Sequence, residues 1–233
     1  MARHARVLIA GVPHHVTQRG NRRERVFFDP GDPAAYLSLL GDYSRRHRVE
    51  VIAYCLMPNH VHHVVVPATS DGLHRLFKSV HGQYAQRVNR MKQQKGHLWQ
   101  GRYFSSPLDP TYFLNAIRYV ELNPVRARIV ERAEDYDWSS AAAHCGNRRD
   151  VVVNPIPKSS LLSGISNWSR WLAEGVADEA VATIRRHGCQ NLPCGNTDFL
   201  AQLEEATGRR LAFCTHGGPR TPHPMRRTRA NGG

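Results

Sequence analysis

Apolar positions along the first half of the chain change period several times, and each change marks an element. Val12 to Arg19 reads as a strand. A polar connection, Gly20-Asn21-Arg22-Arg23-Glu24-Arg25, follows. Asp32-Pro33 then supplies an N-cap and a first-turn proline, which open a helix to about His47. Two apolar runs, Val49 to Met57 and Val61 to Val66, are split by Pro58-Asn59 and predict a strand pair at the sheet centre. Leu73, Leu76, Phe77, Val80, Tyr84, Val88 and Met91 step by three or four, so the next helix buries that face. Its other face carries Arg75, Lys78, His81, Arg87 and Arg90. A last strand is expected near Leu98 to Leu108, and Asp109-Pro110 repeats the cap signal for a helix ending at Asn123-Pro124. The order β-α-β-β-α-β predicts an α+β, ferredoxin-like fold, an antiparallel sheet with helices on one face and one added helix after it.

Beyond about residue 150 the texture changes. Asn154-Pro155-Ile156-Pro157 reads as a linker, and helical stretches follow near 167–174, 178–186 and 197–207. From about Thr215 the chain holds Arg220, Arg226, Arg227 and Arg229 with no acid and several Gly and Pro, a composition expected to be disordered in isolation. Three regions follow: residues 1–150 as the main domain, 151–214 as a helical extension, and 215–233 as a basic tail. No internal repeat is present.

Charge narrows the partner. Thirty-two Lys and Arg against 19 Asp and Glu give a formal net charge of +13, which self-repels unless a polyanion or anionic membrane is bound. No apolar run reaches the roughly 18 residues of a membrane span, and the apolar stretch in the basic opening segment is too short for a signal peptide. Nucleic acid is therefore the favoured partner. Five scattered cysteines, an odd number, read as reduced thiols of a cytosolic protein. Cys189, Cys194, Cys214 and His216 fit no standard zinc spacing.

The sharpest motif is Pro58-Asn59-His60-Val61-His62. Histidines at i and i+2 of a strand point to one face, so His60 and His62 can share a metal ion. In a chain with 14 histidines, a lone His-x-His is more often surface packing. The second segment is Ala116-Ile117-Arg118-Tyr119-Val120-Glu121-Leu122-Asn123-Pro124. Tyr119 and Asn123 lie one turn apart beside a buried stripe of Phe113, Ile117 and Val120. Such a tyrosine is ordinarily an amphipathic core residue. Next to an amide oxygen that can complete a His-His site, it becomes a candidate nucleophile, with Mg²⁺ or Mn²⁺ as the metal suited to mixed nitrogen and oxygen ligands. Arg19, Arg102, Arg118 and Arg126 are candidate phosphate contacts. Trp99, Tyr103 and Phe104 are candidate stacking platforms or core residues, and Trp138 reads as a packing anchor.

Together Pro-Asn-His-Val-His, Gly-His-Leu-Trp-Gln-Gly-Arg-Tyr-Phe (96–104), Arg-Tyr-Val-Glu-Leu-Asn-Pro-Val-Arg-Ala (118–127), Asp-Trp-Ser-Ser (137–140) and the early His-Val-Thr-Gln-Arg-Gly-Asn (15–21) resemble the REP-associated tyrosine transposases. These are single-tyrosine HUH endonucleases, IS200-like, and the match covers roughly residues 10 to 145. The resemblance implies that His60, His62 and Asn123 hold the metal and that Tyr119 attacks a scissile phosphate, forming a 5′-phosphotyrosine. It implies single-stranded or hairpin DNA as partner, a monomer or homodimer, and a bacterial cytoplasmic, nucleoid-associated setting. A covalent step conserves the phosphodiester energy, which suits strand transfer rather than degradation. Among other classes, a histidine-triad hydrolase needs a histidine where Val64 stands. A 2H phosphoesterase needs a second partner for His15-Val16-Thr17. The non-enzymatic alternative is a catalytically silent or domesticated hairpin-binding protein; loss of Tyr119 or of a histidine would mark it, and neither is lost.

Overall fold

A computed structural model describes residues 5–153 and 161–211. The Asn154–Pro157 linker, Cys214, His216 and the basic tail lie outside the described residues. Four strands, β1 (His14–Arg19), β2 (Val49–Met57), β3 (His60–Pro67) and β4 (Phe104–Pro107), form one sheet in the order β2-β3-β1-β4. All pairings are antiparallel. Helices α1 (Asp32–Arg46) and α2 (Gly72–Met91) fill the two crossovers, as the ferredoxin-like order requires.

Alternation along the strands decides which face each side chain meets. Val16, Val61, Val65 and, beyond a register shift between Val51 and Ala53, Tyr54 and Leu56 turn toward α1 and α2. There they meet Tyr36, Leu40, Leu73, Leu76, Phe77, Val80 and Tyr84, a core in which each fully buried side chain contributes about 1.5–3 kcal/mol. Two residues of α2 depart from the periodicity. His81 is buried among rings and not on the basic face, and Met91, at the helix end, is 46% exposed.

The opposite face is covered as well. Helix α3 (Pro110–Glu121) lies against β2 and β3, with Phe113, Ile117 and Val120 packed on Ala53, Cys55 and Val64. Asp109 caps α3 by accepting a hydrogen bond from the Tyr112 amide at 2.7 Å. Short helices α4 (Asn123–Arg126) and α5 (Ala141–His144) follow, then α6 (Trp168–Ala173), α7 (Asp178–Gly188) and α8 (Thr197–Thr207). Trp168 and Leu172 of α6 and Ile184 of α7 join the cluster under α3, whereas Leu203 of α8 packs with Val7 and Leu211 in a small cluster apart. Residues 191–194 also extend the β4 edge, where Cys194 N donates to Pro107 O and Asp109 N to Cys194 O. The fold is thus helix–sheet–helix rather than a sheet with helices on one face only.

The last strand is shorter than its apolar pattern suggests. Gly101 at φ 147 interrupts the extended run, so residues 98–103 form a loop tied to the sheet end by a Gly20–Trp99 bridge. No described helix is long and apolar enough to cross a membrane.

Candidate active site

His60 and His62 share one face of β3, and the pairing of β1 with β3 brings a third histidine beside them. His15 Nε2 and His62 Nδ1 are 3.0 Å apart, one donating to the other, and their rings stack with centroids 5.2 Å apart and planes 4° from parallel. The His60 ring meets His62 edge-on at 4.9 Å. Tyr119 from α3 completes the group, edge-on to both His15 and His62 with centroids 5.7 Å away in each case. His15 was readable only as part of a first-strand motif. Its place here depends on the register of β1 on β3, which one chain's pattern does not reveal.

Burial keeps these rings neutral. His62 is held well below the usual histidine range by desolvation, reinforced by the neighbouring His60, His15 and His63 and by Arg126. Burial likewise lowers His60 to about 4, with Arg19 adding to it, and His15 to about 3, with Arg126 adding to it. Neutral imidazoles are what metal coordination requires.

The donor set fits a divalent cation. His60 Nδ1 donates to Asn59 Oδ1 at 2.6 Å, so its proton sits on Nδ1 and the Nε2 lone pair is free, the usual arrangement behind a metal ligand. No hydrogen bond among the described residues engages Nε2 of His60 or His62. Asn123 is buried at 8% exposure, one turn beyond Tyr119, and its amide nitrogen has no partner. Because the two amide ends are assigned by convention, either can face a ligand. Among the described residues no cluster of three or more His, Cys, Asp or Glu is placed to hold a metal, so a site here depends on the Asn123 amide.

Arg126 clamps the tyrosine. Helix α3 ends at Glu121, and the Arg126 guanidinium donates to the Tyr119 carbonyl in its last turn. Its guanidinium carbon lies 4.2 Å above the Tyr119 ring, a cation–π contact. The end of α3 is fixed from the other side by Glu121, wholly buried, whose carboxylate receives hydrogen bonds from Ser140 Oγ at 2.5 Å, His144 Nδ1 at 2.6 Å and Trp168 Nε1 at 2.7 Å. Three donors offset the desolvation of that carboxylate.

The remaining sequence candidates are dispersed. Arg19 is exposed at the sheet end, opposite His60 in the β1–β3 register. Arg102 is exposed in the 98–103 loop. Arg118 is engaged elsewhere: its guanidinium pairs with Glu174 at 2.5 Å and covers the Trp171 ring at 4.3 Å. Trp99 is core, its indole N–H donating to His81 O, and Trp138 is a half-buried packing residue, as expected.

The family model described as "Transposase IS200 like" matches residues 10–123. Over that segment the chain is similar to the IS200-like transposases. His15, His60, His62, Tyr119 and Asn123 all lie inside the matched segment, whereas Arg126 and the helical extension lie beyond it. A solved REP-associated tyrosine transposase bound to a REP hairpin shares the fold, with a TM-score of 0.53 and 18% identity over 70% of this chain and 98% of that one. A Deinococcus radiodurans R1 protein described as a candidate transposase aligns more weakly, with a TM-score of 0.36 and 18% identity over 55% and 92% of the two chains. No curated protein matches the chain. Family and fold together support a transposase role for the domain.

Proposed function

We propose that the chain is a metal-assisted strand-transferase of the HUH type, acting on single-stranded DNA beside a hairpin, with Tyr119 as nucleophile. The observation that carries this reading is the grouping of Tyr119 with two neutral histidines whose Nε2 atoms are free, under a guanidinium stacked on the tyrosine ring. His60, His62 and Asn123 would hold Mg²⁺ or Mn²⁺, and the ion supplies charge stabilisation at the phosphate oxygens. The Tyr119 hydroxyl oxygen forms a bond to the scissile phosphorus as the bond to the 3′ oxygen breaks. The products are a 5′-phosphotyrosine and a 3′-hydroxyl that has taken up a proton. Arg126 places positive charge beside the ring while its oxygen loses that proton. Religation is the reverse attack by a 3′-hydroxyl, so no ATP is needed.

Access favours one approach. Tyr119 and His62 are each 6% exposed, while His60 is half-buried at the sheet end beside exposed Arg19. DNA therefore reaches the site from the His60 side. The hairpin as substrate rests on the hairpin-bound neighbour. Arg19 and Arg102, both exposed, are the proposed phosphate contacts.

The test is a labelled hairpin with a single-stranded flank taken from beside the gene, incubated with the protein and Mn²⁺ or Mg²⁺ and resolved on a denaturing gel. A covalent adduct is expected, lost with chelator and in Tyr119→Phe. Persistence of the adduct in Tyr119→Phe would overturn the assignment. So would hairpin binding without any adduct, the behaviour of a domesticated binding protein.

A further inference from the structure

On the α1/α2 side of the sheet, away from Tyr119, a cavity of about 630 Å³ opens between α2 and the 96–103 loop. That volume falls within the roughly 300–1,000 Å³ of small-ligand sites. Its lining includes Arg6, Lys78 and Arg102 and no Asp or Glu, so its charge is uncompensated by its own walls. Arg6 and Tyr103, the latter only 6% exposed, lie against each other in its wall. The Arg6 guanidinium carbon lies 3.9 Å above the Tyr103 ring, which leaves its second planar face for another flat group. Such stacked guanidinium planes take unpaired bases.

We propose that this cavity receives one unstacked nucleotide of the DNA single strand, its base laid on Arg6 and its phosphate met by Lys78 and Arg102. The inference rests on the strand-transfer reading and adds a second contact to it. The cavity is joined to the proposed cleavage site by backbone. Asn21 N donates to Leu98 O at 2.8 Å, Gln100 N to Arg19 O at 2.9 Å, and Gly20 N to Asn59 O at 2.9 Å, beside His60. A strand rounding this end of the sheet passes from the cavity, over Arg19, to His60. Asn21 and Gln100 line the cavity and offer amides that can read a base edge. The arrangement also assigns work to the extension. Arg209 donates to the carbonyls of Ala5 and Arg6 at 3.0 and 3.1 Å, and Leu203 and Leu211 pack on Val7, so α8 holds the arm that carries Arg6.

The experiment walks a single abasic residue through the single-stranded flank of the hairpin and measures affinity in a Tyr119→Phe background, where cleavage cannot interfere. One flank position is expected to lose about tenfold in affinity when abasic, the scale of one stacked base. That position dependence should vanish in Arg6→Ala and be much reduced in Arg6→Lys, which keeps the charge but not the plane. Sensitivity at no position, or sensitivity that survives Arg6→Ala, would overturn the proposal. Running the adduct assay on the Tyr119 protein separates the two readings. An adduct without abasic sensitivity removes the cavity's role and leaves Tyr119 standing, whereas abasic sensitivity without an adduct removes the strand transfer and leaves nucleotide binding.

Discussion

His62 and His63 are consecutive in β3 and face opposite sides of the sheet, and their surroundings differ in one respect that matters. On the α1/α2 side, the Tyr36 hydroxyl sits 3.2 Å from His63 Nε2 and 3.1 Å from His81 Nε2, with Phe77 and Trp99 packed around them. On the α3 side, His60 uses Nδ1 on Asn59 and His62 uses Nδ1 on His15, and their Nε2 atoms face no protein partner. Both groups are buried, aromatic and neutral. Burial and a lowered proton affinity therefore do not distinguish a site from a core. What distinguishes them is which atom is taken: Tyr36 occupies the Nε2 atoms of His63 and His81, whereas those of His60 and His62 are left over on the Tyr119 side.

The largest expected effect breaks the pair directly. His62→Ala should lower adduct formation at least about 100-fold, more than loss of an outer-shell partner of a metal ligand costs. It should also abolish the stabilisation by Mn²⁺, about 2.7 kcal/mol at a hundredfold excess over Kd. His63→Ala should leave adduct formation per folded molecule within about twofold, and instead cost about 2–4 kcal/mol in urea unfolding through the cavity it leaves. Equal loss of activity in both variants would erase the distinction between the faces.

Acid should attack both faces together. Burial lowers His14 and His60 to about 4 and His15 and His81 to about 3, against an ordinary value near 6.5. A depressed folded value means that the unfolded chain takes up protons first, so these residues' stability is whole above about pH 6.5 and lost as pH falls toward 3–4. Each contributes up to about 1.4 kcal/mol per pH unit in that window. Thermal unfolding followed from pH 7.5 to 5 should show Tm falling steeply only below about 6.5. A flat profile would mean that the rings are solvated.

A smaller effect belongs to Tyr36→Phe, which removes the hydroxyl held between two buried imidazoles. The expected cost is about 1–3 kcal/mol, the penalty for buried groups left without a partner, with adduct formation unchanged. A loss of adduct formation here would show that the α1/α2 face reports to the site through the sheet.

Local chemistry made much of this legible in the chain. Strand alternation put His60 and His62 on one face, the helical period set the buried stripe of α2, and Asp-Pro pairs marked two helix starts. What escaped was non-local. His15 joins the site through strand register, His81 turns inward because Tyr36 offers it a hydroxyl, and the α3 face is roofed by an extension whose helices look ordinary alone. Arg126 illustrates the same limit: its charge was visible, but its stacking on Tyr119 follows from the end of α3 at Glu121 and the short α4 that turns it back.

The smallest effect is assigned to Arg118, which sequence alone made the equal of the other arginines. Its guanidinium is committed to Glu174 and the Trp171 ring, and its side chain is 17% exposed. Glu174 is 58% exposed, so the ion pair is worth about 0–1 kcal/mol, and the ring contact about as much. Arg118→Ala should therefore cost about 1 kcal/mol in urea unfolding and leave the salt dependence of DNA binding unaltered. Exposed Arg19 and Arg102, each changed to Ala, should by contrast reduce the slope of log affinity against log salt by about one for each phosphate left unneutralised. If Arg118→Ala lowers that slope as they do, its guanidinium leaves Glu174 for a phosphate when DNA arrives, and the extension is a moving part of the interface rather than a fixed roof.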